Sequence, residues 1–440
     1  MQTLVVPLLP HLPGLLGRTP DDVAWLATAT LLAGAVTMPV FGRLGDMFGK
    51  RRMLIAGLVL LVVGSVLCAL TDELNLLIAG RVLQGAAMAV VPLGISIIRD
   101  ELPPERVGGG IALVSASLGI GGGAGLPLAG LAAERLDWHM VFWIAAGVGA
   151  IGLVAVAWRV PESPVRTPGR VDVPGMVILT ALLLCLLLPV SKGGAWGWGS
   201  PLTLGLLAGF LVLTVLFAVV EPRRAEPLVD LRTTLRRPVL LTNIVSVLTG
   251  FAMFSGFIAT TQLIQAPAET GFGLGQGIVA AGLALAPGAV MMSVVSPLSA
   301  RMAARTGPRL TLLLGSFVNG AGFVLLIAYH DTLVQAAAAA TVSSMGAAMA
   351  YSSIPALIMR AVPVSETGAA NGLNALMRTV GTSTASAVVG MLLASWTRDV
   401  PALGALPAHG AFLLIFWLGA ATSVASGLLT LAIPVGGRRG

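Results

Sequence analysis

The side chains best suited to ion-pair chemistry lie in one short stretch, residues 42–52, which we call the basic segment. It reads Gly-Arg-Leu-Gly-Asp-Met-Phe-Gly-Lys-Arg-Arg, so one carboxylate, Asp46, stands among four basic side chains. Opposite charges at such short separations attract each other, and the attraction grows where water is excluded. Elsewhere acidic chemistry is sparse, since none of the 19 Asp and Glu residues lies in the middle of an apolar run. We therefore expect Asp46 to form ion pairs.

Long apolar runs on either side must position the basic segment. Residues 23–41 and 53–70 are both apolar, and about 20 such residues suffice to span a bilayer as a helix. The whole chain is 56% hydrophobic and only 10% charged, whereas soluble domains carry about 25% charged residues. The composition predicts an all-α polytopic membrane protein. The basic segment is then a tight hinge on the cytoplasmic side, because short loops rich in Lys and Arg stay inside.

The apolar runs predict fourteen spans, in groups of six, two and six. We expect a truncated start, because residues 1–16 make only an incomplete first span. The predicted domains are an N-terminal six-helix bundle (1–160), a linker with two inserted helices (161–237) and a C-terminal six-helix bundle (238–440). Of the 26 Lys and Arg residues, 20 fall in loops assigned to the inside and 4 in outside loops, as the positive-inside rule requires. The complete spans are predicted at 22–41, 52–70, 76–98, 107–132, 138–158, 174–190, 202–220, 238–264, 275–299, 309–329, 333–359, 368–396 and 410–433.

The pattern Gly-x-x-x-Asp-x-x-Gly-Lys-Arg between two predicted spans resembles the signature of loop 2–3 in the major facilitator superfamily. The resemblance implies an interdomain charge lock that responds to alternating access; a plain topogenic basic loop is the alternative. Residues 296–309 form a weak second copy that keeps a glycine and basic residues but has no acid. Transporters are often built from such paired halves. The charge-lock residues that the resemblance implies are Gly42, Arg43, Asp46, Gly49, Lys50 and Arg51.

Arg81 places a charge about one and a half helical turns into the span predicted at 76–98. A charge within a span is costly, so its default interpretation is functional. The run at residues 80–85 resembles the family's Arg-x-x-Gln-Gly signature, whose arginine is implicated in proton coupling. The resemblance thus implies a coupling role for Arg81, Gln84 and Gly85. The structural alternative is that Arg81 donates hydrogen bonds to backbone carbonyls and fixes helix packing.

Small residues and a proline recur in the span predicted at 107–132. Small residues permit close helix contacts, and a proline can bend a helix. The run resembles the Gly-x-x-x-Gly-Pro-x-x-Gly-Gly signature of drug:proton antiporters, although Leu126 and Leu131 replace two of its glycines. Residues 3–10 likewise resemble the first-helix signature of the fourteen-helix subfamily, with Met1 at its Asp position. The antiporter-motif residues are Gly121, Gly125, Pro127 and Gly130.

Polar side chains in two later spans are candidates for a cargo cavity. Asn374 and Arg378 are four residues apart, so they share a helix face. They either line a cavity or pair with lipid headgroups. Polar residues near the outer end of the span at 238–264 either contact substrate or mark the membrane interface. The candidates are Gln262, Gln265, Asn371, Asn374 and Arg378.

Together these resemblances imply a fourteen-helix drug:proton antiporter of the cytoplasmic membrane, with two six-helix bundles and two inserted helices. The expected cargo is a hydrophobic or amphipathic small molecule, the expected coupling ion is the proton, and the expected oligomeric state is a monomer in the lipid bilayer. A specific metabolite or siderophore exporter on the same fold is one alternative. A polytopic membrane enzyme is another, but it would need a cluster of His, Asp or Glu at one membrane face, which the sequence does not display.

Other functional classes find no support in the sequence. The four histidines stand far apart, so neither a metal site nor catalytic residues are predicted. Cys68 and Cys185 both fall inside apolar runs and resemble buried hydrophobic residues rather than a disulfide pair. No phosphate-binding loop follows the glycine-rich run, and no cofactor is expected. The net charge of +7 resides in short loops between spans, which excludes a nucleic-acid-binding face.

Overall fold

Helices make up nearly all of the regular structure. The computed structural model describes residues 12–135, 137–164, 166, 171–224, 227–400 and 404–434, with the backbone alone for residues 20, 21, 104, 118, 122–124 and 126–135. The signature at residues 3–10 lies outside these residues. The helices are α1 Leu12–Leu16, α2 Pro20–Phe48, α3 Lys50–Ala69, α4 Leu74–Ala86, α5 Val90–Glu101, α6 Pro104–Arg135, α7 Met140–Arg159, α8 Val173–Trp196, α9 Pro201–Val220, α10 Leu231–Thr234, α11 Arg237–Gln265, α12 Ile278–Thr306, α13 Pro308–Ala328, α14 Leu333–Ala361, α15 Thr367–Ser395 and α16 His409–Leu431.

The helix lengths bear out a polytopic membrane protein. Within the described residues, 12 helical segments are long and apolar enough to cross a bilayer. α4 and α5 form one of these segments together, and α6 is a further long helix whose side chains are described only in part. The fourteen-span layout with two inserted helices stays a prediction, as does the division into three domains.

The hinge between α2 and α3 is a single residue, so the boundaries predicted for the basic segment were wrong. α2 continues to Phe48 and α3 begins at Lys50. Only Gly49 departs from helical geometry, with a φ of 118° that side chains rarely adopt. The helix extends past the apolar run because its polar last turns find tertiary partners. Gly307, with a φ of 91°, joins α12 to α13 in the same way, so the second copy of the hinge is also one glycine.

The span predicted at 76–98 is present as the helical segment Leu74–Glu101, which a short 3₁₀ turn interrupts. α4 ends at Ala86, the single 3₁₀ turn Ala87–Ala89 follows, and α5 then runs to Glu101. A short 3₁₀ stretch inside a helix commonly marks a hinge or local strain. Pro92 favours the break, because it has no N–H to donate to the carbonyl four residues earlier.

A β-hairpin before the last helix is the one departure from an all-α prediction within the described residues. Strands β1 Thr397–Val400 and β2 Gly404–Pro407 pair antiparallel, with Thr397 opposite Pro407 and Val400 opposite Gly404. The residues between the strands lie outside the described set. The apolar pattern predicts only a short connection here, between the spans at 368–396 and 410–433.

The described chain divides into two compact units. Unit 1 comprises Met1–Val107, Leu128–Val239 and Ala361–Leu376, whereas unit 2 comprises Gly108–Pro127, Leu240–Arg360 and Met377–Gly440. Each unit buries its own apolar core, which is what makes it compact. Core residues of unit 1 include Leu12, Val23, Leu26, Leu77 and Phe142. Core residues of unit 2 include Leu263, Phe323, Leu326, Phe412 and Phe416.

Candidate functional site

The carboxylate of Asp46 caps a helix that begins more than 300 residues later in the chain. Asp46 is 1% exposed, near the C-terminal end of α2. Its two oxygens accept hydrogen bonds from the backbone N–H groups of Gly368 (3.0 Å) and Ala369 (2.8 Å), in the first turn of α15. The first N–H groups of a helix lack intrahelical partners and carry a partial positive charge, so a carboxylate is well placed there. We call this contact the Asp46 joint.

Lys50 balances Asp46 within the same buried cluster. Its side chain is fully buried, with Nζ 3.4 Å from Asp46 Oδ1 and 2.6 Å from Asp100 Oδ2. Ser163 Oγ also donates to Asp100 Oδ2, at 2.5 Å. One cation thus faces two carboxylates, and the positive end of α15 offsets the remaining negative charge. Each charge has a partner, as burial of ionised groups requires.

Glycines let α2 and α15 approach with backbone in contact. A Cβ on Gly368 would lie 2.6 Å from both Asp46 Oδ1 and the carbonyl oxygen of Gly42. A Cβ on Gly372 would meet the backbone of Met38 in the same way. The Asp46 joint therefore depends on small residues on both helices, because a side chain at either contact would push the helices apart.

A second set of bonds ties α5 to the start of α15. Arg99 donates from Nη1 to Thr367 Oγ1 (2.8 Å) and from Nη2 to the carbonyl of Val362 (3.2 Å). Asn371 Nδ2 donates to Ser96 Oγ, at 3.2 Å. In the sequence, Arg99 is one of the 20 basic residues assigned to inside loops, and Ser96 is not among the predicted site residues. No local sequence pattern predicts the partners of either residue. A basic residue at the end of a span indicates only that an ion pair or hydrogen bond is to be expected at that membrane face.

The other basic residues of the segment lie apart from Asp46. Arg51 donates from Nη2 to the carbonyl of Ala157 (2.6 Å), and its backbone N–H bonds to Glu162 Oε1 (3.1 Å). Arg51 therefore anchors the stretch after α7. Of the basic residues in this segment, only Lys50 pairs with Asp46 in the part of the chain that the structure describes. The charge-lock role of the six residues as a set stays a prediction.

Arg43 opens into a cavity of about 540 Å³ in unit 1. Its wall includes the segment 227–234 and the start of α15. Burial raises the pKa of Asp230, but hydrogen bonds from the Thr233 hydroxyl and the Arg232 N–H outweigh burial, so its pKa lies below its usual value. The cavity thus holds charges of both signs. Its charged lining residues are Arg43, Glu221, Arg224, Asp230, Arg232 and Glu366.

Two acidic side chains meet at the ends of α8 and α9. Asp172 caps α8 through a bond from the Gly175 N–H to Oδ1 (3.0 Å), and Glu221 Oε1 accepts the Val229 N–H (2.8 Å). Their other oxygens, Asp172 Oδ2 and Glu221 Oε2, are buried and find no hydrogen-bond partner among the described residues. Both oxygens lie beside Gly175. A Cβ on Gly175 would be 2.8 Å from Glu221 Oε2 and closer still to Asp172 Oδ2. The two unpartnered acceptors therefore face one another.

Arg81 lies at the centre of a buried network that joins three helices. It is 2% exposed, and its Nε donates to the carbonyl of Leu26 in α2 (3.0 Å). Its Nη1 donates to Gln84 Oε1 (2.6 Å), and Gln84 Nε2 donates to Ser65 Oγ in α3 (2.8 Å). A Cβ on Gly85 would lie 2.5 Å from the carbonyl of Thr30, so α4 packs tightly on α2. Among the described residues no carboxylate pairs with Arg81. The network agrees with the structural alternative and does not test the coupling role.

The antiporter motif falls on one unbroken helix, α6. The backbone stays helical through residues 127 and 130, whose side chains lie outside the description. Gly125 is buried, whereas a Cβ on Gly121 would meet nothing within 4 Å. The close approach of α6 occurs instead at Gly119, where a Cβ would lie 3.0 Å from the carbonyl of Ala289 in α12. Sequence analysis did not single out Gly119.

The five cargo-cavity candidates occupy different positions along their helices. Gln262 and Gln265 lie in the last turn of α11, where Gln265 Nε2 bonds back to the carbonyl of Thr261 (3.3 Å). Asn371 and Asn374 are buried in the first turns of α15, with Asn371 bonded to Ser96. Arg378 lies further along α15, with its guanidinium carbon 4.9 Å from the ring centre of Tyr351. Each of the five stays a candidate.

Two of the histidines that are separate in sequence meet in unit 2. The Nε2 atoms of His330 and His409 lie 2.7 Å apart, and the His409 ring stacks on Phe272. No group of three or more His, Cys, Asp or Glu residues fit to hold a metal ion occurs among the described residues. The pair was missed because His330 follows α13 whereas His409 begins α16.

The long apolar helices define a multi-pass membrane protein. The chain belongs to the major facilitator superfamily, whose family model matches residues 1–386 and 290–437. The tetracenomycin C resistance and export protein of Streptomyces glaucescens is 30% identical over 388 residues, covering 86% of this chain and 70% of that protein. Multidrug resistance protein 3 of Bacillus subtilis is 27% identical over 370 residues, covering 82% and 70%.

These relatives confirm the predicted resemblance to multidrug resistance exporters of that superfamily. They indicate a transporter rather than an enzyme. The crystal structure of the human organic anion transporter MFSD10 covers 97% of this chain and 95% of its own, with a TM-score of 0.70 and 16% identity. At that identity the likeness concerns the fold alone.

Proposed function

We propose that this protein exports hydrophobic or amphipathic small molecules across the cytoplasmic membrane by proton antiport, as a monomer. The basic segment faces the cytoplasm, as the distribution of Lys and Arg among the loops favours. The names of the relatives, which concern resistance and export of drugs, support the direction of transport and the class of cargo. The proton as coupling ion rests on the resemblance of the motifs.

The Asp46 joint is the observation that carries the proposal. Alternating access requires contacts at one membrane face that close in one state and open in the other. The joint consists of a carboxylate on two backbone N–H groups, with glycine contacts beside it. Such bonds form or break within a few ångströms of movement. Water can solvate both partners at an open cytoplasmic face, so opening leaves no group buried and unpaired.

Arg81 is the proposed link between proton binding and movement. Its guanidinium donates to α2 through Leu26 and to Gln84 of its own helix. A buried cation held by neutral acceptors responds to any change of charge nearby, because the surroundings screen little. The adjacent 3₁₀ turn Ala87–Ala89 offers a point at which α4 and α5 can flex.

Uptake into everted membrane vesicles tests the proposal, because the cytoplasmic face of these vesicles is outside and an exporter carries its cargo into the lumen. Vesicles with the full chain receive an imposed pH gradient, acidic inside, and uptake of amphipathic dyes is followed with and without nigericin, which collapses the gradient. We expect gradient-dependent transport that Arg81→Gln reduces to the rate of vesicles lacking the protein. Transport that is unchanged after nigericin would overturn proton antiport. Broad competition among unrelated dyes supports multidrug export, whereas competition by a single compound class would favour a specific exporter.

A further inference from the structure

Arg378 holds a charge near the middle of the membrane. It stands 11 residues after Thr367, the first residue of α15. At a rise of about 1.5 Å per residue this is about 16 Å along the helix. The hydrocarbon core of a bilayer is about 30 Å thick, so the side chain starts close to its centre. A charged side chain at that depth is costly to insert, so its default interpretation is functional.

The charge of Arg378 has no counter-ion in the part of the chain that the structure describes. No Asp or Glu oxygen of the described residues pairs with it, and its guanidinium carbon lies over the ring of Tyr351, 4.9 Å from the ring centre. The face of an aromatic ring attracts a guanidinium stacked on it. The five N–H groups lie in the plane of the guanidinium, so the ring accepts no hydrogen bond from them. Arg378 is also partly exposed. Its hydrogen-bonding edge is therefore available to a ligand.

Arg81, the other arginine within a predicted span, shows what a satisfied interior arginine looks like. Arg81 is 2% exposed and donates both to a carbonyl and to a glutamine side chain. Arg378 rests on an aromatic ring instead, and its guanidinium donates no hydrogen bond to any of the described residues. The contrast separates an arginine whose donors are engaged within the fold from one that is prepared for a partner.

We propose that Arg378, supported by the ring of Tyr351, binds an anionic group of the cargo, so that the preferred substrate is an amphipathic acid such as a carboxylate or phenolate. The planar guanidinium presents two parallel N–H groups that match a carboxylate, and stacking on the ring holds that plane in place. The inference rests on the proposed export function, since it names the chemistry of the cargo.

The sequence around Arg378 agrees with this chemistry. Thr382 stands four residues after Arg378, so the two share one face of α15. Its hydroxyl oxygen offers a neutral polar group beside the cation. No acidic residue lies in the middle of an apolar run of the sequence, so the sequence places no anion at this depth to compete for the guanidinium or to attract a cationic cargo.

Binding of three matched probes tests the proposal. The probes are 1-pyrenebutyrate, its methyl ester and 1-pyrenebutylamine, which share one ring system and differ in charge. Binding is measured by equilibrium dialysis against the full chain in lipid nanodiscs, with empty nanodiscs subtracted. We expect wild type to prefer the acid, and Arg378→Gln to weaken acid binding about tenfold to a hundredfold while leaving the ester unchanged.

Two further variants keep the result interpretable. Arg378→Lys retains the charge without the planar fork and should fall between wild type and Arg378→Gln. Arg360→Gln removes an exposed arginine at the end of α14 and should bind as wild type does. Equal binding of the acid by wild type and Arg378→Gln would overturn the proposal. So would equal binding of the three probes, or binding of none.

The site and the export function fail in different measurements. The protein could bind the acid preferentially through Arg378 and yet carry no dye into everted vesicles. That result would support the site and refute the proposed export. Efflux of acid and ester at equal rates in both wild type and Arg378→Gln would overturn the site and leave the export function standing.

Discussion

Replacing Asp46 by Asn tests whether one carboxylate holds the Asp46 joint closed. Asn has the same shape but a single acceptor oxygen, so it serves only one of the N–H groups of Gly368 and Ala369. Its own N–H₂ then faces the other N–H group. Lys50 stays paired through Asp100, 2.6 Å away, so the substitution acts chiefly on the joint.

The size of the effect follows from the bonds that are lost. A backbone N–H left without its acceptor costs about 1–3 kcal/mol. Removing a negative charge from a helix N-terminus costs about 0.3–1 kcal/mol more, or about 2 kcal/mol where the site is partly buried. A total of about 2–4 kcal/mol shifts the ratio of open to closed joints about 30-fold to 1000-fold.

Spin labels on either side of the joint measure this ratio. Arg52 and Val364 are exposed and take no part in the bonds of the joint. Cysteines introduced there, in a chain without Cys68 and Cys185, report the distance between the helix ends by pulsed electron resonance. We expect Asp46→Asn to increase the long-distance population strongly.

Asp100→Asn is the matched control for this measurement. It also removes one carboxylate from Lys50 but leaves both backbone bonds of Asp46 in place. It should therefore change the distance distribution much less than Asp46→Asn does. A wild-type distribution in Asp46→Asn, or equal shifts in the two variants, would refute the reasoning that the helix-capping bonds close the joint.

Three other substitutions have expected outcomes. Gly368→Ala should destabilise the closed joint by about 1–3 kcal/mol, because the added Cβ would lie 2.6 Å from two oxygens. The same distance measurement reports this as a larger long-distance population. Gly121→Ala is the control and should leave the distances unchanged, because nothing lies within 4 Å of its added Cβ. Lys50→Met leaves two buried carboxylates without a cation, so the free energy of unfolding should fall by about 3–5 kcal/mol, and an unaltered melting temperature would contradict this. Glu221→Gln supplies an N–H donor for the unpartnered Asp172 Oδ2 and should raise the melting temperature, whereas a lower one would show that the two oxygens do not face each other.

The basic segment shows how far local sequence predicts a site. Its glycines and charges placed a hinge between two spans, and the structure keeps the hinge but reduces it to Gly49. The predicted ends of the helices were wrong because they followed the end of the apolar run. Asp46 lies beyond that run and stays helical, since α15 and Lys50 satisfy its carboxylate. A local pattern cannot include a partner that lies 322 residues away.

The two interior arginines, Arg81 and Arg378, show the same limit on what local sequence can predict. Both were identifiable from sequence as costly charges within apolar runs. Whether such a charge is satisfied depends on which distant groups reach it. For Arg81 these are a carbonyl of α2 and a neighbouring glutamine, and for Arg378 the described neighbour is an aromatic ring on α14.

The sequence by itself determined that this chain is a polytopic helical membrane protein of the major facilitator type. That information is local, because a bilayer forces each apolar run to satisfy its backbone hydrogen bonds within its own helix. Tertiary structure alone decided the partners of the charges: Asp46 on the start of α15, Lys50 between two carboxylates, and Arg378 over Tyr351. Side chains in a low-dielectric interior are matched by whichever helices pack beside them, and that packing is a property of the whole fold.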